Sequence, residues 1–199
     1  MDIKTFGVIG AGQMGNGIAQ VAAAAGLSVI MSDIKQDFCD KGVATITRNL
    51  DRMVSKEKIG QADKTAILEL ITTTTDLNDM ATADFVVEAA VEKEDLKFKI
   101  FQDLDKICPS SVILSTNTSS IPIGRIAAQT SRPDKIIGMH FMNPVPVMKL
   151  VEVIRGIATS EETFDITWKL SEKFGKTPAE ANDYPGFIAN RILMPMINE

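Results

Sequence analysis

His140 is the only histidine in the 199 residues, and Glu152 is the only acid within the apolar run from Val147 to Ile154. An imidazole exchanges a proton near neutral pH, and a carboxylate set in an apolar strand requires a hydrogen-bonding or cationic partner. The two types fit a general base and the group that orients it. A lone histidine is nevertheless more often a satisfied structural residue than a catalyst, so the pair alone assigns no reaction.

A second chemical signal opens the chain. Lys4 to Ile9 reads as a short apolar strand that runs directly into Gly10-Ala11-Gly12-Gln13-Met14-Gly15. Ile18, Val21, Ala22 and Ala25 then recur at helical spacing until Gly26, and a second strand, Leu27 to Met31, leads to Asp33. Strand, glycine turn, helix, strand and acid follow in the order of a dinucleotide-binding βαβ unit. Gly10 permits the tight turn, Gly12 allows close backbone approach to a pyrophosphate, and Gly15 lets the helix pack on the strand. Asp33 is placed to accept hydrogen bonds from a ribose and to repel a 2′-phosphate, which favours NAD over NADP, with Lys35 the nearby residue that softens the choice. The turn alone does not separate NAD from a flavin.

The elements around these residues describe an ordinary globular protein: 45% of residues are hydrophobic and 24% charged. A net charge of -5 argues against a surface built for nucleic acid or anionic membrane, and points to a small-molecule partner. Cys39 and Cys108 lack metal-ligand spacing, and with a single histidine no zinc set is expected; both read as reduced thiols of a cytoplasmic protein. Asp2, Gly7 and Gly10 break the one early apolar stretch, so no secretory signal is expected. Ile18 to Met31 falls short of the ~20 residues that span a bilayer.

Gln36 to Ile71 reads as two helices separated by Gly60, with Phe38, Val43, Ile46, Leu50 and Met53 facing inward on the first and Ala66, Ile67, Leu70 and Ile71 on the second. Arg48, Arg52 and Lys56 stack along the outer face at four-residue spacing, which fits either a solvated face or a polyphosphate handle. Asp84 to Ala90 reads as a strand, followed by a helix through Leu96, Ile100, Leu104 and Ile107, with Glu92, Glu94 and Asp95 gathered at its positive end. Ser111 to Leu114 gives a strand and the hydroxyl-rich run Ser115 to Ser120 follows, placed to cap a helix starting at Pro122. Ile136 to Met139 and Val147 to Ile154 supply two further strands, the latter an antiparallel return. Thr163 to Phe174 reads as a helix, and Thr177 to Ala181 as a last strand.

The fold expected is α/β: a Rossmann-like, mostly parallel sheet with helices on both faces, a protruding helical hairpin after the second strand, and the start of a helical C-terminal domain. The expected boundary separates residues 1–183 from 184–199. The helix opened by Pro185-Gly-Phe is still running at Glu199, so most of that second domain is expected to be missing.

Taken together, Val8–Gly15, Val87–Glu92, Ser115–Ser120, Ile137–Pro144, Lys149–Val153 and Pro185–Arg191 resemble the 3-hydroxyacyl-CoA dehydrogenase family, most of all its short bacterial 3-hydroxybutyryl-CoA members. The resemblance implies an NAD-binding N-terminal domain and a helical C-terminal domain that closes the substrate cleft and builds a homodimer. It implies a reaction interconverting (S)-3-hydroxyacyl-CoA and 3-oxoacyl-CoA by hydride transfer with NAD(H). His140 matches the catalytic base, Glu152 its partner, and Ser119 and Asn190 polar residues that contact substrate. Glu92, Lys97, Ser119 and Asn143 match positions lining the NAD site, and Lys56 matches a contact to the CoA phosphates, an assignment extended here to Arg52. Two alternatives stand beside this reading: a nucleotide-binding module without turnover, and a related dehydrogenase acting on a free β-hydroxy acid, which would be expected to use a lysine base.

Overall fold

The computed structural model describes residues 2–199. Eight strands, β1 (Thr5–Ile9), β2 (Ser28–Ser32), β3 (Ile71–Thr74), β4 (Phe85–Glu88), β5 (Ile113–Thr116), β6 (Ile136–Phe141), β7 (Leu150–Arg155) and β8 (Thr177–Asn182), form one sheet in the order β3-β2-β1-β4-β5-β6-β7-β8. Strands β1 to β6 pair in parallel, β7 returns antiparallel to β6, and β8 runs parallel to β7. The strand order reverses between β1 and β4, the point at which such sheets open a crevice beyond their C-terminal ends.

Burial on both faces explains why β1, β4 and β6 read as near-continuous apolar runs. On one face Phe6, Val8, Phe85, Ile137 and Met139 pack with Ile18 and Ala22 of α1 (Gln13–Ala24), Ile46 and Leu50 of α2 (Gln36–Ser55), and Leu170 of a late helix, numbered α6 below. The hairpin partner of α2, α3 (Gln61–Glu69), has no fully buried residue and contributes Ile67 and Leu68 at the margin of that cluster. On the other face Val86, Leu114 and Ile136 meet Phe101 and Leu104 of α4 (Glu94–Ile107) and Ile123 and Ile126 of α5 (Ile123–Ala127). The late helices are α6 (Glu161–Lys173), which Gly175 ends at φ 69°, and α7 (Ala189–Asn198), none of whose residues is buried.

The structure departs from expectation in three places that bear on the site. The second helix of the hairpin stops at Glu69, and Ile71 begins β3. Paired on one side only, this edge strand is three threonines behind one isoleucine, and it offers no apolar alternation to read. Strand β5 begins two residues later than expected and takes in Ser115 and Thr116, both buried. Their hydroxyls are satisfied inside the sheet, Ser115 donating to Val86 O at 3.1 Å and Thr116 to Glu88 Oε2 at 2.7 Å. Finally, α5 is not capped by the hydroxyl run; Asp183 accepts from Ile123 and Gly124 N–H, both at 2.8 Å.

Candidate active site

The glycine turn lies between β1 and α1, and two of its glycines are required by space. Gly10 has φ 101°, and a Cβ there would lie 2.7 Å from Ala89 O. At Gly15 a Cβ would fall 1.8 Å from Gly10 O, so any side chain would force the helix off the turn. Gly12 differs: a Cβ would meet nothing within 4 Å, because that position faces an open cleft, and no side chain caps α1 there. The first-turn N–H groups of α1 are therefore available to an anion. Asp33, at the end of β2, accepts from Ala11 N–H at 2.8 Å and Ile34 N–H at 2.7 Å, which ties the acid to the turn. A cleft of about 530 Å³ lined by Gly10, Gly12, Asp33, Leu77, Val91 and Leu96 completes the crevice. Apolar walls for a base, an acid at ribose position and bare amides for phosphates fit a dinucleotide. Within the turn, Met14 packs partly into the core, whereas Gln13 is exposed and donates to Asn143 Oδ1 at 3.2 Å, joining the turn to the loop after β6.

His140 and Glu152 face one another across the β6–β7 pair. His140 Nδ1 lies 2.7 Å from Glu152 Oε2, and its Nε2 lies 3.0 Å from Ser119 Oγ. Glu152 is 1% exposed, and its second oxygen accepts from Ile188 N–H at 2.9 Å and Ala189 N–H at 2.8 Å. Burial pushes this carboxyl up, but the hydrogen bonds from His140, Ala189 and Ile188 together outweigh it and hold the group below its ordinary value. The result is a chain of hydrogen bonds, Ser119–His140–Glu152, that ends on an ionised acid. Asn190 joins it from α7, its side-chain amide 3.5 Å from Ser119 O.

Glu92 does not belong to the first turn of α4, as its place in the sequence suggested. It precedes the helix and gathers the Ser119 loop: one oxygen accepts from the Thr118 hydroxyl, from Ser119 N–H at 2.9 Å, and from Ser120 N–H and Oγ at 3.2 and 2.9 Å. Burial raises its pKa, and the Thr118 hydroxyl, Lys97 and the Ser120 and Ser119 contacts more than offset that rise. Lys97 lies deeper, 1% exposed, with Nζ 2.6 Å from Glu88 Oε1 and 3.3 Å from Glu92 Oε2. It sits beneath the loop and not on the surface of the crevice. Arg52 and Lys56 are set apart on the exposed outer face of α2 and make no ion pair among the described residues.

Two residues of the site passed unassigned in the sequence. Glu88 is fully buried and anchors Lys97, Thr116 and the Ala90 amide. Its signal was an acid ending the apolar run Phe85-Val-Val, the same kind that singled out Glu152. Asn117 accepts from Phe141 N–H at 2.8 Å and so fastens the Ser119 loop to the strand that carries His140.

Comparison with known proteins agrees with this geometry. Residues 5–184 match the family model described as 3-hydroxyacyl-CoA dehydrogenase, NAD binding domain. A probable 3-hydroxybutyryl-CoA dehydrogenase of Deinococcus radiodurans is 54% identical over 98% of this chain and 69% of its own length. A probable 3-hydroxybutyryl-CoA dehydrogenase of Bacillus subtilis is 51% identical over 100% of this chain and 69% of its own length. Among solved structures, an (S)-3-hydroxybutyryl-CoA dehydrogenase of Ralstonia eutropha superposes with a TM-score of 0.97 at 51% identity, covering 99% of this chain and 70% of that one. The glycine turn, the acid after β2 and these likenesses converge on one conclusion: the chain belongs to the 3-hydroxyacyl-CoA dehydrogenase family and carries its NAD-binding domain.

Proposed function

We propose that this protein interconverts (S)-3-hydroxybutyryl-CoA, or a close 3-hydroxyacyl-CoA, and the 3-oxoacyl-CoA, with His140 and Glu152 as its acid–base pair. The observation that carries the reading is the unbroken hydrogen-bonded run from Ser119 Oγ through the imidazole to a buried carboxylate, located where β5 and β6 end. Gly10, Gly12, the first amides of α1 and Asp33 would hold NAD, which would supply the hydride acceptor in oxidation and the donor in reduction. The chain's own residues manage the proton and the developing charge.

Glu152 Oε2 accepts from Nδ1–H, which leaves Nε2 free to take the proton of the substrate hydroxyl. The imidazolium that forms is balanced by Glu152, already ionised and held by two backbone amides. In the reverse direction the same Nε2–H protonates the alkoxide as it forms. Ser119 Oγ, now 3.0 Å from Nε2, marks where the reacting oxygen binds, and Asn190 adds a donor to that oxygen or to the thioester carbonyl. A cleft of about 460 Å³ beside Gly12, Gln13 and Asn143 runs along Lys41, Thr45 and Asn49 of α2. Arg52 and Lys56 continue that helix at its far end, so we assign them to the CoA phosphates.

We place the enzyme in the cytoplasm, in keeping with two buried, unpaired cysteines; no helix among the described residues is long and apolar enough to cross a membrane. Residues 184–199 are read as the start of a helical domain, and the exposed Ile192, Leu193, Met196 and Ile197 as its contacts with further helices and, through them, a second copy. The deciding assay follows the nicotinamide absorbance band with NADH and acetoacetyl-CoA. Rapid consumption with the thioester and none with free acetoacetate is expected. Preference for the free acid would overturn the CoA assignment, and tight NADH binding without turnover would favour a non-catalytic module.

A further inference from the structure

The segment after β8, together with the first two residues of α7, reaches every member of the Ser119–His140–Glu152 chain. Phe187 is 3% exposed, and its ring centroid lies 5.8 Å from that of His140, tilted by 59°. The next two amides, Ile188 and Ala189, hold Glu152 Oε1, and Asn190 reaches the Ser119 carbonyl. At its other end Asp183 is fastened to the first amides of α5, the helix that follows the Ser119 loop.

This convergence rests on unusual backbone. Gly186 and Phe187 are both left-handed, with φ of 78° and 50°, a region that a phenylalanine rarely occupies. The turn is closed by Phe187 N–H on Tyr184 O at 2.9 Å and Arg191 N–H on Gly186 O at 3.0 Å. A Cβ on Gly186 would press on Arg191 N at 3.0 Å and Arg191 Cα at 3.2 Å. Disfavoured backbone persists where its surroundings over-determine it, and it concentrates at functional sites. Here it turns two successive amides onto one carboxylate oxygen and lays an aromatic ring beside the imidazole.

We propose that residues 183–190 form a positioning strap for the His140–Glu152 pair, with Phe187 as its positioning residue. This rests on the reading of that pair as the acid–base machinery. A carboxylate can present either oxygen by rotating; two amides on Oε1 leave Oε2 facing Nδ1. Phe187 fills the space beside the ring, limits its tilt and keeps water from the Nδ1–Oε2 bond. Neither Phe187 nor the Ile188 and Ala189 amides touch substrate in this account; of the strap only Asn190 does.

The test is a double-mutant cycle of Phe187→Ala and Glu152→Gln, with Phe187→Leu as the conservative variant. Readouts are kcat and KM with acetoacetyl-CoA and the Kd of NADH by fluorescence. F187A is expected to lower kcat by roughly 10- to 100-fold, the scale of a misplaced reacting group, with NADH affinity unchanged and F187L recovering part of the loss. In the E152Q background F187A should cost little more, because both act through one hydrogen bond. Equal losses in both backgrounds, or parallel losses of kcat and NADH affinity, would overturn the strap. If E152Q loses turnover while the Phe187 variants match the parent, the strap fails and the pair survives; if E152Q itself matches the parent, both fail. Should F187A not fold, F187L carries the same cycle.

Discussion

His140 and Glu152 are directly opposed in the antiparallel register of β6 and β7, with Nδ1 and Oε2 2.7 Å apart. Opposed residues of such a pair have Cβ atoms about 4.5–5.5 Å apart on one face, so backbone hydrogen bonding sets the spacing and not loop conformation. A slip of one residue would carry Glu152 to the other face of the sheet. The pair is thus built on two hydrogen-bonded strands, and of the three residues only Ser119 comes from a loop.

From this follows the sharpest activity prediction. His140→Gln should fold, bind NADH with near-parent affinity and lower turnover by at least ~100-fold, the scale of a positioned acid–base group. Steady-state kinetics with a parallel NADH titration check it. Comparable turnover in variant and parent would remove His140 from the mechanism.

The same carboxylate makes a stability prediction whose sign follows from its lowered pKa. Below the unfolded value, near 4.5, the unfolded chain takes up a proton before folded Glu152 does. The stability it contributes is therefore complete above that pH and is lost as pH falls through the lower folded value. Glu92 acts in the same direction. Urea unfolding from pH 6 down to about pH 3 should show a steeper decline in the parent than in Glu152→Gln; identical slopes would contradict the assignment.

How far the site was legible depended on how local its signal was. The glycine turn and Asp33 lie in one βαβ unit, and the need for glycine at 10 and 15 follows from short-range sterics, whereas the hydrogen bonds by which Asp33 holds the turn, accepted from Ala11 and Ile34 N–H, carry no sequence signal of their own. His140 and Glu152 were visible because polar groups interrupt apolar strands. Glu88 carried that same signal yet gained no role, since its partner Lys97 is buried from the next helix and looks like a surface lysine in sequence. Glu92 was misplaced because an acid near a helix start has a ready electrostatic explanation, whereas its actual partners lie 26 to 28 residues away. The edge strand β3 was hidden because threonines on a singly paired strand have no apolar face to betray them.

Asp33→Ala should narrow the preference for NADH over NADPH, because the charge that repels a 2′-phosphate is gone. It should also weaken NADH itself, since the Ala11 amide of the turn loses its acceptor. Paired affinity measurements decide. If the two affinities do not converge, discrimination resides in groups other than the Asp33 carboxylate.

Charge reversal at Lys56 tests the far end of the substrate. Lys56→Glu leaves the core untouched, because the residue is exposed at the end of α2. KM for acetoacetyl-CoA should rise several-fold, more so at low salt, with NADH affinity held. Equal loss of both ligands would instead report damage to α2.

The two glycines at the mouth of the turn separate folding from cofactor binding. At Gly12 an added methyl meets no protein atom and the backbone is already extended, so Gly12→Ala should fold with parent stability and lose NADH affinity, because the methyl occupies the space a pyrophosphate needs. At Gly15 the methyl would fall 1.8 Å from Gly10 O, so Gly15→Ala should cost about 3 kcal/mol of stability or prevent folding. Thermal unfolding and NADH titration of both variants form the check. A destabilised Gly12→Ala would mean that the turn is held by contacts other than those that leave its amides open, and the anion site at the start of α1 would need to be placed elsewhere.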